Sequence, residues 1–308
     1  MPRASRTTSA AGRATRAYRL GAGLAATGLL LTVAAVAAAL SDLSVSSRPS
    51  HVVSTVGIQV ALPSANLAAV ALLVLATLGI AVMLAVVRGV FVIARALRRL
   101  RQRLPIVGPL PNDADVAVIA HDGVQAFCAG LLRPRIYISV GALRQLGDAE
   151  LDAVLAHEQM HRARRDPLRI VTARLLGEAL FFAPAVRSLA RRYATLAEIA
   201  ADDRALAAVG GDASVVASAM LAFDTGVAPE RADHILGSPG DWALPLAVIG
   251  MTVAGVAALG LLVWQLGRHA VLQTTLGLPV LSAAPCVIVL ALVPVSAVAL
   301  GMWTSRRF

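Results

Sequence analysis

Charge is scarce in this chain. Only 15% of its 308 residues are Asp, Glu, Lys or Arg, whereas 57% are hydrophobic. An ordinary soluble domain carries about a quarter charged residues, so the balance speaks against a purely soluble protein and for a membrane class. Acidic residues are the scarcer sign, 18 against 28 basic, for a formal net charge of +10. That surplus lies beside apolar runs, which is the pattern of membrane topology and anionic lipid. Direct nucleic-acid binding is therefore not expected. Cysteine is nearly lacking too. Cys128 sits in a polar central region and Cys286 deep in an apolar run, so the two are not expected to pair and no disulfide framework holds the fold. The chain also shows no internal repeat.

Apolar runs are abundant. A spanning helix needs about 20 apolar residues. Four stretches qualify: Leu20 to Leu40, Leu67 to Val87, Trp242 to Leu266 and Val280 to Trp303. Arginine sets their orientation. Arg3, Arg6, Arg13, Arg16 and Arg19 precede the first span, and Arg88, Arg95, Arg98, Arg99, Arg101 and Arg103 follow the second. Both clusters belong on the cytoplasmic side. The layout is then a basic cytoplasmic tail (1–19), two spans with a basic extension (20–103), a cytoplasmic domain (104–241), and two spans with a short cytoplasmic tail (242–308). The connections 41–66 and 267–279 lie outside. The alternative for the first run is a signal peptide cleaved near Ala37-Ala38-Ala39, for which it is long. A fifth stretch, Pro167 to Leu189, carries Arg169, Arg174, Glu178 and Arg187 and is interrupted by Pro184. It reads as an amphipathic helix against the domain or the membrane face.

Within 104–241, Val116–Ala120, Gln125–Ala129 and Arg135–Val140 read as strands, the last two joined by a turn at Gly130–Pro134. A helix is expected from about Ala149 to Arg164, with Asp148 able to cap it. Asp166-Pro167 stops it and starts the next. Another runs from about Tyr193 to Val209 and ends at Gly210-Gly211.

The helix at 149–164 contains His157-Glu158-Gln159-Met160-His161, an H-E-x-x-H. Residues i and i+4 are about 40° apart around a helix and about 6 Å along it, so both imidazoles reach one ion. Zinc accepts such nitrogen ligands and leaves a position for water, and Glu158 stands where it takes a proton from that water. A third ligand is needed. Glu198 and Asp202 share one helical face, as ligand and as acceptor for a ligand imidazole, or as part of a solvated acidic face with Asp203 and Arg204. Arg162, Arg165, Tyr193 and His121 are candidates for a second oxyanion donor. His51, His234 and His269 show no ligand pattern. Residues Gln125, Ala126, Phe127 and Cys128 are the candidate edge for a peptide substrate added as a strand, with core packing as the other reading of Phe127 and Cys128.

These motifs resemble the M56 membrane metallopeptidases, the group of the β-lactam sensor-transducers, and more distantly the M48 membrane peptidases. Glu198-Ile199-Ala200-Ala201-Asp202 matches their E-x-x-A-D. Ala153-Val154-Leu155-Ala156 precedes His157, Arg165-Asp166 follows His161, and the strand pair 125–139 stands upstream. The resemblance covers roughly 113–211. It implies a membrane α-helical protein of four transmembrane helices with a cytoplasmic α+β, gluzincin-type zinc peptidase domain. It implies one Zn2+ held by His157, His161 and Glu198, and a zinc-dependent endopeptidase acting on protein substrates at the cytoplasmic face. The sensor-transducers carry a large extracellular domain after the last span, and none is expected here. A regulatory role on a repressor-like substrate leads, with a constitutive quality-control protease and a non-enzymatic membrane scaffold as alternatives. The expected location is the cell membrane, multi-pass, in contact with lipid.

Overall fold

The computed structural model describes residues 9–42, 44–46, 51–55, 58–62, 67–111, 113–223, 228–235, 246–273 and 275–277. The expected fourth span, Val280 to Trp303, and the second cysteine lie outside them. The chain is mostly helical with a small sheet. It divides into a unit built from residues 1–23, 90–177 and 184–246 and a unit built from 24–89, 178–183 and 247–308.

The second unit holds most of the apolar helix. Helix α1 spans Ala10–Asp42, α2 spans Leu67–Arg103 and α9 spans Leu246–Gln273. Their side chains stand open: Leu30, Val33, Val74, Met83, Val87 and Met251 are exposed. Among the described residues, two helical segments, Ala10–Ala34 and Thr77–Arg103, are long and apolar enough to cross a membrane. Exposed leucine and valine over such lengths fit lipid as the surrounding solvent. Helix α9 continues through residues 267–273, which were expected to begin an outside connection. Short strands fill part of the first loop: β1 (Ser44–Ser46) pairs in parallel with β8 (Thr275–Gly277), and β2 (His51–Thr55) pairs antiparallel with β3 (Ile58–Leu62).

The first unit contains a four-stranded sheet of order β4-β5-β7-β6, from Ile106–Leu110, Asp113–Ile119, Arg135–Ser139 and Ala126–Ala129. Strands β5 and β7 run parallel, and the outer pairs are antiparallel. Strand β4 has no counterpart in the sequence reading: Gly108 and Pro109 break its pattern, and its pairing with β5 is irregular. Val116, Val118, Ile136 and Ile138 alternate onto one face and pack against Ala142, Leu146, Val154 and Ala219. Strand β6 is the free edge opposite β4. Gly130, at φ +110, makes the turn into β7, where a Cβ would lie 2.9 Å from the Arg133 carbonyl oxygen. Only glycine fits there. Gly141 is needed for a different reason: a Cβ would stand 2.0 Å from the Asp122 carbonyl oxygen, in the loop that leads into β6.

Helix α3 (Val140–Gln145) is capped by Ser139, whose hydroxyl also accepts from the Gln125 N–H at 2.9 Å and donates to the Gly123 carbonyl at 2.7 Å. One buried hydroxyl thus fixes the approach to the edge strand. Helix α4 (Asp148–Arg164) starts one residue earlier than expected. Gly147 is its cap, and the Gly147 N–H donates to Glu150 Oε2 at 2.9 Å. Helix α5 spans Asp166–Ala179 and α6 Pro184–Ala208. Pro184 does not interrupt one amphipathic helix. It opens a new one, and a 25-residue helix runs from it through the whole Glu198 region. Proline at a first helical position forgoes only an amide that had no partner. Gly210 and Gly211, both at positive φ, close α6, with Gly211 N–H donating to Leu206 O at 2.7 Å. Helices α7 (Ala213–Ala222) and α8 (Pro229–Ile235) complete the unit.

Candidate metal centre

Helices α4 and α6 pack side by side, and this brings four predicted residues together. His157 and His161, one turn apart on α4, point their Nε2 atoms at each other across 3.1 Å. Glu198 reaches in from α6, with carboxylate oxygens 3.6 Å from His157 Nε2 and 3.5 Å from His161 Nε2. A tetrahedral ion with N and O ligands at about 2.0–2.1 Å separates its donors by about 3.3 Å. These three spacings fit such an ion, and all three donor atoms lie within 4.8 Å of one another.

The far sides of both rings are fixed by carboxylates. His157 Nδ1 lies 3.0 Å from Asp202 Oδ1, and His161 Nδ1 lies 3.0 Å from Asp166 Oδ2. With Nδ1–H donated outward, each ring keeps its Nε2 lone pair turned inward, where only a cation satisfies both. The electrostatics agree. Burial depresses the His157 pKa, but the Asp202 and Glu198 carboxylates outweigh it and raise it to about 9, so this ring holds a proton that a metal ion displaces on binding. The pocket attracts positive charge.

Each orienting carboxylate is held in turn. Asp202 takes a two-pronged bond from Arg231 of α8, Nε to Oδ2 at 2.9 Å and Nη2 to Oδ1 at 2.7 Å, and Arg231 Nη1 stands 3.3 Å from Glu198. Asp166 accepts from the Tyr193 hydroxyl at 2.5 Å and faces Arg164 Nε at 3.5 Å. Both Asp166 and Asp202 are fully buried. Burial raises their pKa values, and these partners more than reverse it, so both stay below the usual carboxylate range. The backbone places Asp166: Arg165 adopts a left-handed conformation at φ +54, ends α4 and turns the chain back towards His161. A non-glycine residue pays about 1–2 kcal/mol for that turn.

Glu158 lies beside the donors and is 9% exposed. Burial pushes its carboxyl above the ordinary range, and the two imidazoles pull it partly back. A half-open cavity of about 500 Å³ joins His157, Glu158, His161 and Glu198 to Ala126, Phe127 and Cys128 of the β6 edge. Gln125 does not line it. Its N–H is bound by Ser139. Phe127 stacks on Tyr137 with ring centroids 5.3 Å apart. Burial pushes the Cys128 thiol up to about 12, so it stays protonated and offers no nucleophile.

The four oxyanion candidates are not among the cavity residues. Arg162 pairs with Asp115 at 2.9 Å, Arg165 makes the turn, Tyr193 is committed to Asp166, and His121 Nδ1 accepts from Gly123 N–H at 3.1 Å. His234 pairs with Asp203 at 2.7 Å. The arginine that does line the cavity is Arg231. Sequence reasoning missed it, because 29 residues separate it from Asp202 and no spacing rule joins them. The role of Asp166 was also missed, although a carboxylate five residues after the second histidine of the motif, just past a helix end, is a readable signal.

The family model described as BlaR1 peptidase M56 matches residues 29–232, more than half of the chain. None of the curated proteins and none of the solved structures matches the chain. The match runs from within α1 into α8 and covers all three donors, Glu158 and both supporting carboxylates, so the chain belongs to the M56 peptidase family.

Proposed function

We propose that this membrane-associated metallopeptidase is a zinc endopeptidase whose centre faces the cytoplasm, in a chain of four membrane spans. The observation that carries the reading is the convergence of His157, His161 and Glu198 with the buried Glu158 at one cavity. Two nitrogens and one carboxylate suit zinc, and the set is that of a catalytic site that keeps a place open. Bound there, zinc supplies a Lewis acid for the scissile carbonyl and an acidified water.

The chain's own residues do the rest. Asp202 and Asp166 hold the imidazoles in the metal-ready tautomer. Glu158 takes a proton from the attacking water on its carboxylate and hands it to the leaving nitrogen. Arg231 offsets the charge gathered on Glu198 and Asp202. The free β6 edge offers main-chain hydrogen bonds to an extended peptide laid along Ala126–Cys128, within the same cavity.

The substrate proposed is a cytoplasmic regulatory protein such as a repressor. Quality control of membrane proteins is the second reading, and a scaffold without activity is disfavoured because the H-E-x-x-H motif and the E-x-x-A-D motif are both intact. Glu158→Gln tests the chemistry: it keeps zinc and abolishes cleavage of casein or of the chain itself. Full activity in that variant overturns the reading. The same variant, used in native membranes to capture bound proteins, separates one discrete partner from a broad set. A cytoplasm-only fluorescent reporter inserted near Asn112 is expected bright and one near Ser47 dark. The reverse places the centre outside.

A further inference from the structure

The turns of α1 before residue 24 lie in the same unit as the metal centre, yet residues before 29 precede the matched family region. They are built into that centre's rear wall. Ala10, Ala14 and Ala17 are buried, spaced along one helical face. Ala10 packs on Ile199 and Ala200 of α6 and on Met160 of α4. These neighbours alternate with the site residues: Met160 precedes His161, and Ile199 follows Glu198.

Two further contacts reach Asp166 itself. The Tyr18 ring stacks on the Tyr193 ring, centroids 5.2 Å apart and tilted by 49°, and the Arg169 guanidinium lies 5.6 Å over the Tyr18 ring. Tyr193 is fully buried and its hydroxyl donates to Asp166 Oδ1. A buried phenol delivers its hydroxyl only where its ring is held, and Tyr18 is one of the surfaces that holds it. On the other side, Arg164 Nη1 donates to the Ala11 carbonyl at 3.2 Å while its Nε faces Asp166 Oδ1 at 3.5 Å. Both groups that steady Asp166 are thus braced by α1.

We infer that Tyr18 is a positioning residue of the metal centre, acting through Tyr193 and Asp166 on His161, so that the N-terminal turns of α1 are part of the peptidase centre and not a free basic tail. The inference rests on the reading of His161 as a ligand.

The test measures zinc affinity of the full-length protein in detergent by competition with a chromogenic chelator. Tyr18→Ala is expected to weaken zinc binding by about 10- to 100-fold, the range for losing a supporting partner. Tyr18→Phe restores it, and Arg19→Ala, on the exposed side of α1, leaves it unchanged. Tyr193→Phe, which keeps the ring and deletes the hydroxyl, gives a loss of the same order. The double variant Tyr18→Ala/Tyr193→Phe is expected to lose no more than the larger single variant, because both break one chain of contacts. Should Tyr18→Ala not accumulate, Tyr18→Leu keeps apolar volume without the ring and carries the same expectation. Wild-type affinity in a folded Tyr18→Ala or Tyr18→Leu protein, or additive losses in the double variant, overturns the inference. A wild-type protein that binds no zinc overturns the reading of the site instead.

Discussion

The two imidazoles of the metal centre are braced by opposite means. Behind His157, Asp202 is closed by a guanidinium that comes from α8, a seven-residue helix, and retains some exposure. Behind His161, Asp166 is closed by a phenol hydroxyl that is wholly buried and backed by another ring. The first arm is a charge pair. It is strong in contact, but its guanidinium is partly open to solvent, which can take its place. The second arm is packed, with the Tyr193 hydroxyl and the Arg164 guanidinium both on Asp166 Oδ1 in the interior, and it has little room to relax. Equivalent imidazoles can therefore differ in rigidity, and the rigid one is backed by the first turns of α1.

Three substitutions probe this contrast, in order of effect. Glu198→Ala removes a donor shared by both arms, and stoichiometric zinc is expected to be lost, read by mass spectrometry of the purified protein. Asp166→Asn follows. Its amide nitrogen must face either His161 Nδ1–H or the Tyr193 hydroxyl in a site that cannot rearrange, and a loss towards the upper part of the roughly 10- to 100-fold range is expected in chelator competition. Asp202→Asn is the mildest, near the lower part of that range, because Arg231 can swing out and solvent can take its place. Equal losses at Asp166 and Asp202 would erase the distinction, and a larger loss at Asp202 would reverse it.

Much of the centre was legible before any fold was known. The His157–His161 spacing fixes a shared helical face, and Glu198–Asp202 does the same on α6, since both rest on local geometry alone. Strands at Val116, Ala126 and Ile136 were marked by alternation and by the glycine turn at Gly130. What stayed hidden depends on tertiary placement. Arg231 has no local signature for its partner. Tyr193 reads as a possible donor to substrate until its ring is seen buried against Tyr18. Ala10, Ala14 and Ala17 form a helical stripe, but alanine carries so little hydropathy that the arginines beside it dominate the reading as a tail. Pro184 looked like a break because a break and a first helical position carry the same residue.

The ligand set itself is open to direct measurement by X-ray absorption spectroscopy of the zinc-loaded full-length protein. With His157, His161 and Glu198 as ligands, the account expects a shell of nitrogen and oxygen at about 2.0–2.2 Å with imidazole multiple scattering and no sulfur. A sulfur scatterer at about 2.3 Å would bring Cys128 into the coordination sphere and contradict the assignment made here.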